Sequence, residues 1–185
     1  MTFAEAQHSI VAEISATLSA VSETEVDALS RQIARADRVF FVGVGRVLLS
    51  LQSVAKRLAH LGIDTIIVGQ ITEPAITASD LLIVGSGSGE SAIPLAIAAK
   101  AKSHGAQVAH IGANPASSMA QYTDVFVRIP VQTKFSSGTE VTSVQPMTSL
   151  FEQCLLLLGD ALALSLIRSK DLDLKTLWQH HANLE

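Results

Sequence analysis

Leu81-Leu82-Ile83-Val84-Gly85-Ser86-Gly87-Ser88-Gly89-Glu90-Ser91 decides the fold. Four aliphatic residues run into glycines that alternate with serines, and a helix-like stretch, Ser91 to Ser103, follows. A short, continuously apolar run is the pattern of a parallel strand buried on both faces. Glycines let a backbone approach an anion closely, and the N–H groups at a helix start then bind it with help from the helix dipole. Three hydroxyls at this spacing, Ser86, Ser88 and Ser91, can each donate a hydrogen bond to a phosphate dianion. The competing reading is a plain flexible turn. Position favours the binding loop, because open α/β sheets hold ligands beyond the carboxyl ends of their strands.

The same pattern recurs outward in both directions. Val39-Phe40-Phe41-Val42, Thr65-Ile66-Ile67-Val68, Val108-Ala109-His110-Ile111 and Val125-Phe126-Val127 are further short apolar runs. Asp37, Asp80 and Asp124 stand just before three of the five strands. Helix-like stretches lie at Leu48 to Leu61, Ser91 to Ser103 and, shorter, Ser117 to Gln121. The order strand, helix, strand, repeated four times, predicts an open doubly wound sheet with right-handed crossovers. The first strand also ends in a glycine turn, Val42-Gly43-Val44-Gly45-Arg46. Neither loop is a dinucleotide fingerprint: the sixth position holds Leu48 counted from Gly43 and Glu90 counted from Gly85, where glycine is required. The second strand ends Val68-Gly69-Gln70, without the acidic residue that would bind a ribose, and no lysine follows either loop as a P-loop demands.

The flanks add helices. Ile10, Ile14, Leu18 and Val21 recur at roughly helical spacing over Ala4 to Ala20. Ser22-Glu23-Thr24-Glu25 reads as a capping box restarting the helix through about Ala36. The Ser-, Thr- and Gly-rich stretch from Pro130 to Pro146 is a long loop, and such loops are usually functional. A helix over about Thr148 to Ser169 follows, with a short one expected within Asp171 to His180. No linker divides the chain, so residues 1–185 form one expected domain: N-terminal helices 1–36, core about 37–130, loop 131–147, and C-terminal helix and tail 148–185. The net charge is −4 and no basic block or aromatic platform is visible, which disfavours nucleic acid as a partner. One cysteine, Cys154, leaves no intramolecular disulfide. No apolar run approaches the ~20 residues that span a bilayer, and residues 1–9 lack a signal peptide's basic start. These features predict a cytoplasmic location, away from membranes.

The loop Ser86-Gly87-Ser88-Gly89-Glu90-Ser91 after an apolar strand resembles the phosphosugar signature of the sugar isomerase (SIS) domain. The chain is more narrowly similar to the bacterial 6-phospho-3-hexuloisomerases. The matching pieces are Gly43-Val44-Gly45-Arg46, Arg57-Leu58-Ala59-His60-Leu61-Gly62, Ala98-Ala99-Lys100-Ala101-Lys102, Gln145-Pro146-Met147, Ser149-Leu150-Phe151-Glu152-Gln153 and His180-His181-Ala182-Asn183-Leu184-Glu185. The resemblance implies a three-layer, flavodoxin-like sandwich with a five-stranded parallel sheet flanked by helices. It implies a homotetramer with active sites at subunit contacts, and neither cofactor nor metal. The implied reaction interconverts 3-hexulose 6-phosphate and fructose 6-phosphate, after formaldehyde fixation in the ribulose monophosphate pathway. Arg46, Val47 and Ser86 through Ser91, with Gly87, Gly89 and Glu90 among them, are the expected substrate-binding residues. The family usually has serine where this chain has Val47, and glycine where it has Leu48. Valine cannot donate the hydrogen bond, at a cost of about 1.5–3 kcal/mol to a charged group. That motivates a second reading, an isomerase of another sugar phosphate such as a pentose phosphate; a third is a non-catalytic sugar-phosphate sensor.

Such a shift needs one base that takes a proton and returns it, and a group that polarises the carbonyl. With the resemblance, Glu152 is the base; without it, Glu152 would simply cap the helix near Thr148. Apolar neighbours raise a carboxyl pKa while helix-start N–H groups lower it, and the residues alone leave the two opposed. His181 is the expected group for ring opening or oxygen proton transfer, acting across a subunit boundary, with His180 and His60 as alternatives. His60 otherwise suits a helix C-terminus before Gly62. Arg46 is expected to hold the phosphate or an enediolate oxygen, or else to be an ordinary surface arginine. Trp178 is assigned to packing.

Overall fold

The structure, a computed structural model, describes residues 1–133, 138 and 140–184. Five parallel strands form one sheet: β1 (Val39–Val42), β2 (Thr65–Ile67), β3 (Leu81–Gly85), β4 (Gln107–Gly112) and β5 (Val125–Arg128), in the order β2-β1-β3-β4-β5. Around it stand α1 (Phe3–Ser19), α2 (Glu23–Arg35), α3 (Gly45–Ala59), α4 (Ala92–Ser103) and α5 (Ser149–Ser169), with 3₁₀ turns at Ser118–Tyr122 and Thr176–His180. Strand side chains alternate between two faces, and both are covered. Val39, Phe41, Leu81 and Ile83 pack in one core with Leu29 and Ile33 of α2, Leu51 and Leu58 of α3, and Phe151 and Leu155 of α5. Phe40, Val42, Leu82 and Val84 pack in a second with Ala98 and Ala101 of α4 and Met119 of the first 3₁₀ turn. Burial on both faces is why these strands read as continuous apolar runs. The expected three-layer α/β sandwich is therefore present.

The chain leaves β1 toward β2 on one side of the sheet and returns to β3 on the other. The strand order thus reverses between β1 and β3, and a crevice opens there at the strands' carboxyl ends. The Gly43–Arg46 turn and the Ser86–Ser91 loop both lie at that switch point.

Two expectations need correction. The segment from Val68 to Asp80, between β2 and β3, contains no helix. Gly69 at φ +90° and Pro74 punctuate it, and Thr77 N–H closes a turn on Asp80 Oδ2 at 2.7 Å. The Ser22 capping box is only half formed: Ser22 Oγ accepts the Glu25 N–H, but the Glu25 carboxylate reaches across to the Arg128 N–H at 2.7 Å. The complete box is Thr2 with Glu5 at the start of α1. Within the loop expected over 131–147, Val131 bridges Val141. Glu13 of α1 accepts hydrogen bonds from Ser143 Oγ, Val144 N and Gln145 Nε2. Residues 134–137 and 139 of that loop, and Glu185 of the tail, lie outside the described residues.

Two of the aspartates before strands have clear tasks. Asp124 accepts the Val108 N–H at 2.8 Å and pairs with Lys102. Asp80, 1% exposed, takes Arg38 Nε and Nη2 at 3.0 and 2.8 Å. Burial pushes the Asp80 carboxyl upward, but the hydrogen bonds from Arg38 and Thr77 outweigh it and hold the group below its ordinary range. By length and composition α5 could cross a bilayer. It instead buries Leu150, Phe151, Cys154, Leu155, Leu158 and Leu162 in the protein core, so it is an interior helix.

Candidate active site

The crevice between β1 and β3 is a cavity of about 530 Å³. Its floor is Gly85 to Ser88 with Glu90 and Ser91, its near wall Val44 to Val47, and its far wall Thr148, Phe151 and Glu152 at the start of α5. This volume suits a small polar ligand. Arg46, Val47, Ser86, Gly87, Ser88, Glu90, Ser91 and Glu152 all border it, so nearly all the sequence-predicted site residues meet in one place.

The serine loop is built from its own hydrogen bonds. Ser86 Oγ accepts the Gly89 N–H at 3.1 Å and lies 3.5 Å from Ser91 Oγ. Ser88 Oγ accepts the Glu90 N–H at 3.2 Å. Gly89 sits at φ +69°, and a Cβ there would come 2.1 Å from Ser117 Oγ, so both its conformation and its neighbour require glycine. Gly89 does not border the cavity but sets the bend that the bordering residues follow. The Glu90 carboxylate accepts hydrogen bonds from Ser118, which hold it below the ordinary glutamate range. Through this contact it pins the 3₁₀ turn to the loop while still bordering the cavity.

Glu152 is 7% exposed. The Nε of Arg46 donates to its Oε2 and Thr148 Oγ1 donates to its Oε1 at 3.0 Å. Ser50 Oγ of α3 donates to the Glu152 carbonyl at 2.9 Å, fixing the first turn of α5 against α3. A buried carboxylate, a cation and a hydroxyl therefore converge on the cavity. Thr148, read from sequence only as the start of the helix, is a site residue the sequence reading missed. Val47 reaches the cavity too, but its Cγ1 lies where a side chain on Gly85 would go, at 2.9 Å. It fills the gap between the ends of β1 and β3 with apolar surface.

The histidines stand elsewhere. His181 stacks on His60, ring centroids 5.1 Å apart, beside Trp178, Arg57 and Leu61 in a second cavity of about 410 Å³. The His180 ring lies against Gly62. Within one chain none of these three borders the Glu152 cavity. Trp178 is 71% exposed, so it is not a residue of the core; its ring packs instead beside that of His181, with centroids 5.2 Å apart. A histidine absent from the predicted site, His110 of β4, is 1% exposed and lies 2.9 Å from the Ser86 carbonyl. Its only sequence signal was a polar side chain inside an otherwise apolar strand.

A sheet of order 2-1-3-4-5 with a serine-glycine loop and a paired glutamate at its switch point defines a class of sugar-phosphate proteins. The SIS domain family matches residues 32–158, and the chain belongs to it. Among curated proteins it is similar to the 3-hexulose-6-phosphate isomerase of Bacillus subtilis, 42% identical over 95% of both chains. It is also similar to the 3-hexulose-6-phosphate isomerase of Mycobacterium gastri, 40% identical over 94% of this chain and 86% of that one. A crystal structure from Methanococcus jannaschii, from which a 3-hexulose-6-phosphate isomerase function was inferred, superimposes with a TM-score of 0.85 at 27% identity, covering 98% and 99% of the two chains.

Proposed function

We propose that this chain is a phosphosugar isomerase that interconverts 3-hexulose 6-phosphate and fructose 6-phosphate. The observation that carries the reading is the Arg46–Glu152 pair facing the Ser86–Ser91 loop across one cavity. The phosphate lies on the serine hydroxyls and backbone N–H groups, which leaves the sugar carbons toward Glu152. In 3-hexulose 6-phosphate the carbonyl is at C3, and in fructose 6-phosphate at C2. Glu152 removes the C2 proton as a carboxylate, a 2,3-enediol forms, and the same carboxyl returns the proton to C3. The hydroxyl proton passes from O2 to O3 meanwhile, so atoms balance without a co-reactant. Arg46, already at the carboxylate, stabilises negative charge on the enediolate oxygens. Substrate binding has to loosen its contact with Glu152 Oε2.

His181 serves the oxygen proton transfer or ring opening in the Glu152 site of a partner subunit. This reading is favoured by its place on a separate surface of its own chain, stacked on His60. It requires assembly, and the proposed assembly is a homotetramer with four times the 19.5 kDa mass of the chain. The whole of residues 1–185 acts as one domain, working in the cytoplasm downstream of formaldehyde fixation. A substrate panel tests the proposal. Turnover of 3-hexulose 6-phosphate well above that of pentose 5-phosphates supports it. Preference for a pentose phosphate moves the assignment to another isomerase, and binding without turnover moves it to a sensor.

A further inference from the structure

His110 lies beneath the serine loop and is built into it from three sides. Its ring Nε2 is 2.9 Å from the Ser86 carbonyl oxygen. A carbonyl only accepts, so Nε2 carries the proton and donates. Gly112 makes room for the ring: a Cβ there would come 2.4 Å from Nε2 and 2.7 Å from the Ser86 oxygen. Gly89 makes room on the loop side, where a Cβ would come 3.2 Å from the ring's Cε1. Phe126 of β5 covers the ring at 5.1 Å. Burial lowers the imidazole's pKa, which keeps it the neutral donor.

The Ser86 carbonyl belongs to the peptide unit that also carries the Gly87 N–H. In a trans peptide the two groups point in opposite directions, and no cis bond occurs among the described residues. With its oxygen held on His110, the unit turns the Gly87 N–H away from His110. Gly87 borders the cavity, and no acceptor for its N–H occurs among the described residues. We propose that His110 is a positioning residue of the phosphate loop: it holds the Ser86 carbonyl and so aims the Gly87 N–H at the phosphate of a sugar phosphate. The proposal rests on the serine loop being the phosphate site.

The test is fructose 6-phosphate binding by calorimetry to wild type, H110F and H110Q, with steady-state kinetics alongside. Phenylalanine keeps the ring and removes the donor; glutamine restores a donor. H110F is expected to weaken binding and raise KM by about tenfold, with kcat within about twofold because ground and transition states lose the same contact. H110Q is expected to recover most of the loss. In the wild-type chain, the Gly87 amide proton should move downfield in NMR spectra on titration with fructose 6-phosphate; a still amide overturns the proposal even if H110F does not fold. Unchanged binding by H110F, equal loss in H110Q, or a still Gly87 amide overturns the proposal while leaving the phosphate site standing. No binding by wild type overturns both.

Discussion

A single methyl group at Gly89 tests whether the loop geometry sets affinity. In G89A the new Cβ must occupy φ +69° and meet Ser117 Oγ at 2.1 Å and Ser117 Cβ at 2.5 Å. The left-handed backbone costs about 1–2 kcal/mol for a residue with a Cβ. Overpacking costs about 1–3 kcal/mol more, so the variant should lose about 2–5 kcal/mol. For a chain of this length each kcal/mol moves Tm by about 2–4 °C, which predicts a fall of about 4–20 °C by calorimetry. The overlap is relieved by pushing the loop away from the 3₁₀ turn, where Gly89 carbonyl accepts the Met119 N–H at 3.2 Å. That shift displaces Ser86 and Ser88, so KM should rise as well. Adding S117G removes both clashing atoms but not the backbone strain, and should return only the overpacking share of the loss. A G89A chain that melts within about 2 °C of wild type, or a double variant no more stable than G89A, would refute the reasoning.

Two further perturbations address other parts of the account. V47S places a hydroxyl on the cavity wall where valine now packs against Gly85, and should lower KM for fructose 6-phosphate by about tenfold through one hydrogen bond to a charged group; an unchanged or higher KM would show that the apolar plug matters more than the missing donor. Asp80 contributes stability that is fully present above its ordinary pKa of 3.8 and is lost as pH falls through its lowered native value, because the unfolded chain then binds more protons. D80N should therefore lower Tm at pH 7 and flatten the loss of stability below about pH 3.8, read from melting curves across that range; parallel curves for variant and wild type would contradict this.

Sequence carried the sheet because burial on both faces leaves an uninterrupted apolar signature, as at Val39–Val42 and Leu81–Val84. It carried the serine loop because glycine and hydroxyl residues alternate where a strand must turn into a helix. The path from Val68 to Asp80 was hidden because a strand–helix–strand rhythm elsewhere suggested a helix that Gly69 and Pro74 interrupt. Glu25 was hidden because its carboxylate is spent 103 positions away, on Arg128 N–H, and local spacing cannot report so distant a partner. The same limit concealed the pairing of Arg46 with Glu152, 106 positions apart, and the contact of His110 with Ser86. Glu152 itself was legible only through family resemblance, since its position near Thr148 equally suits a cap. His181 meets the same limit: its ring stacks on that of His60, a contact distant in sequence that local spacing cannot report.

Generating 3-hexulose 6-phosphate in situ with hexulose-phosphate synthase, and following fructose 6-phosphate formation with wild type and E152Q side by side, tests the isomerase assignment most directly. The account predicts turnover by wild type and a loss of at least about a hundredfold in kcat for E152Q, with fructose 6-phosphate binding retained. Absence of turnover from folded wild-type protein that binds the sugar phosphate, or an E152Q chain as active as wild type, would contradict it.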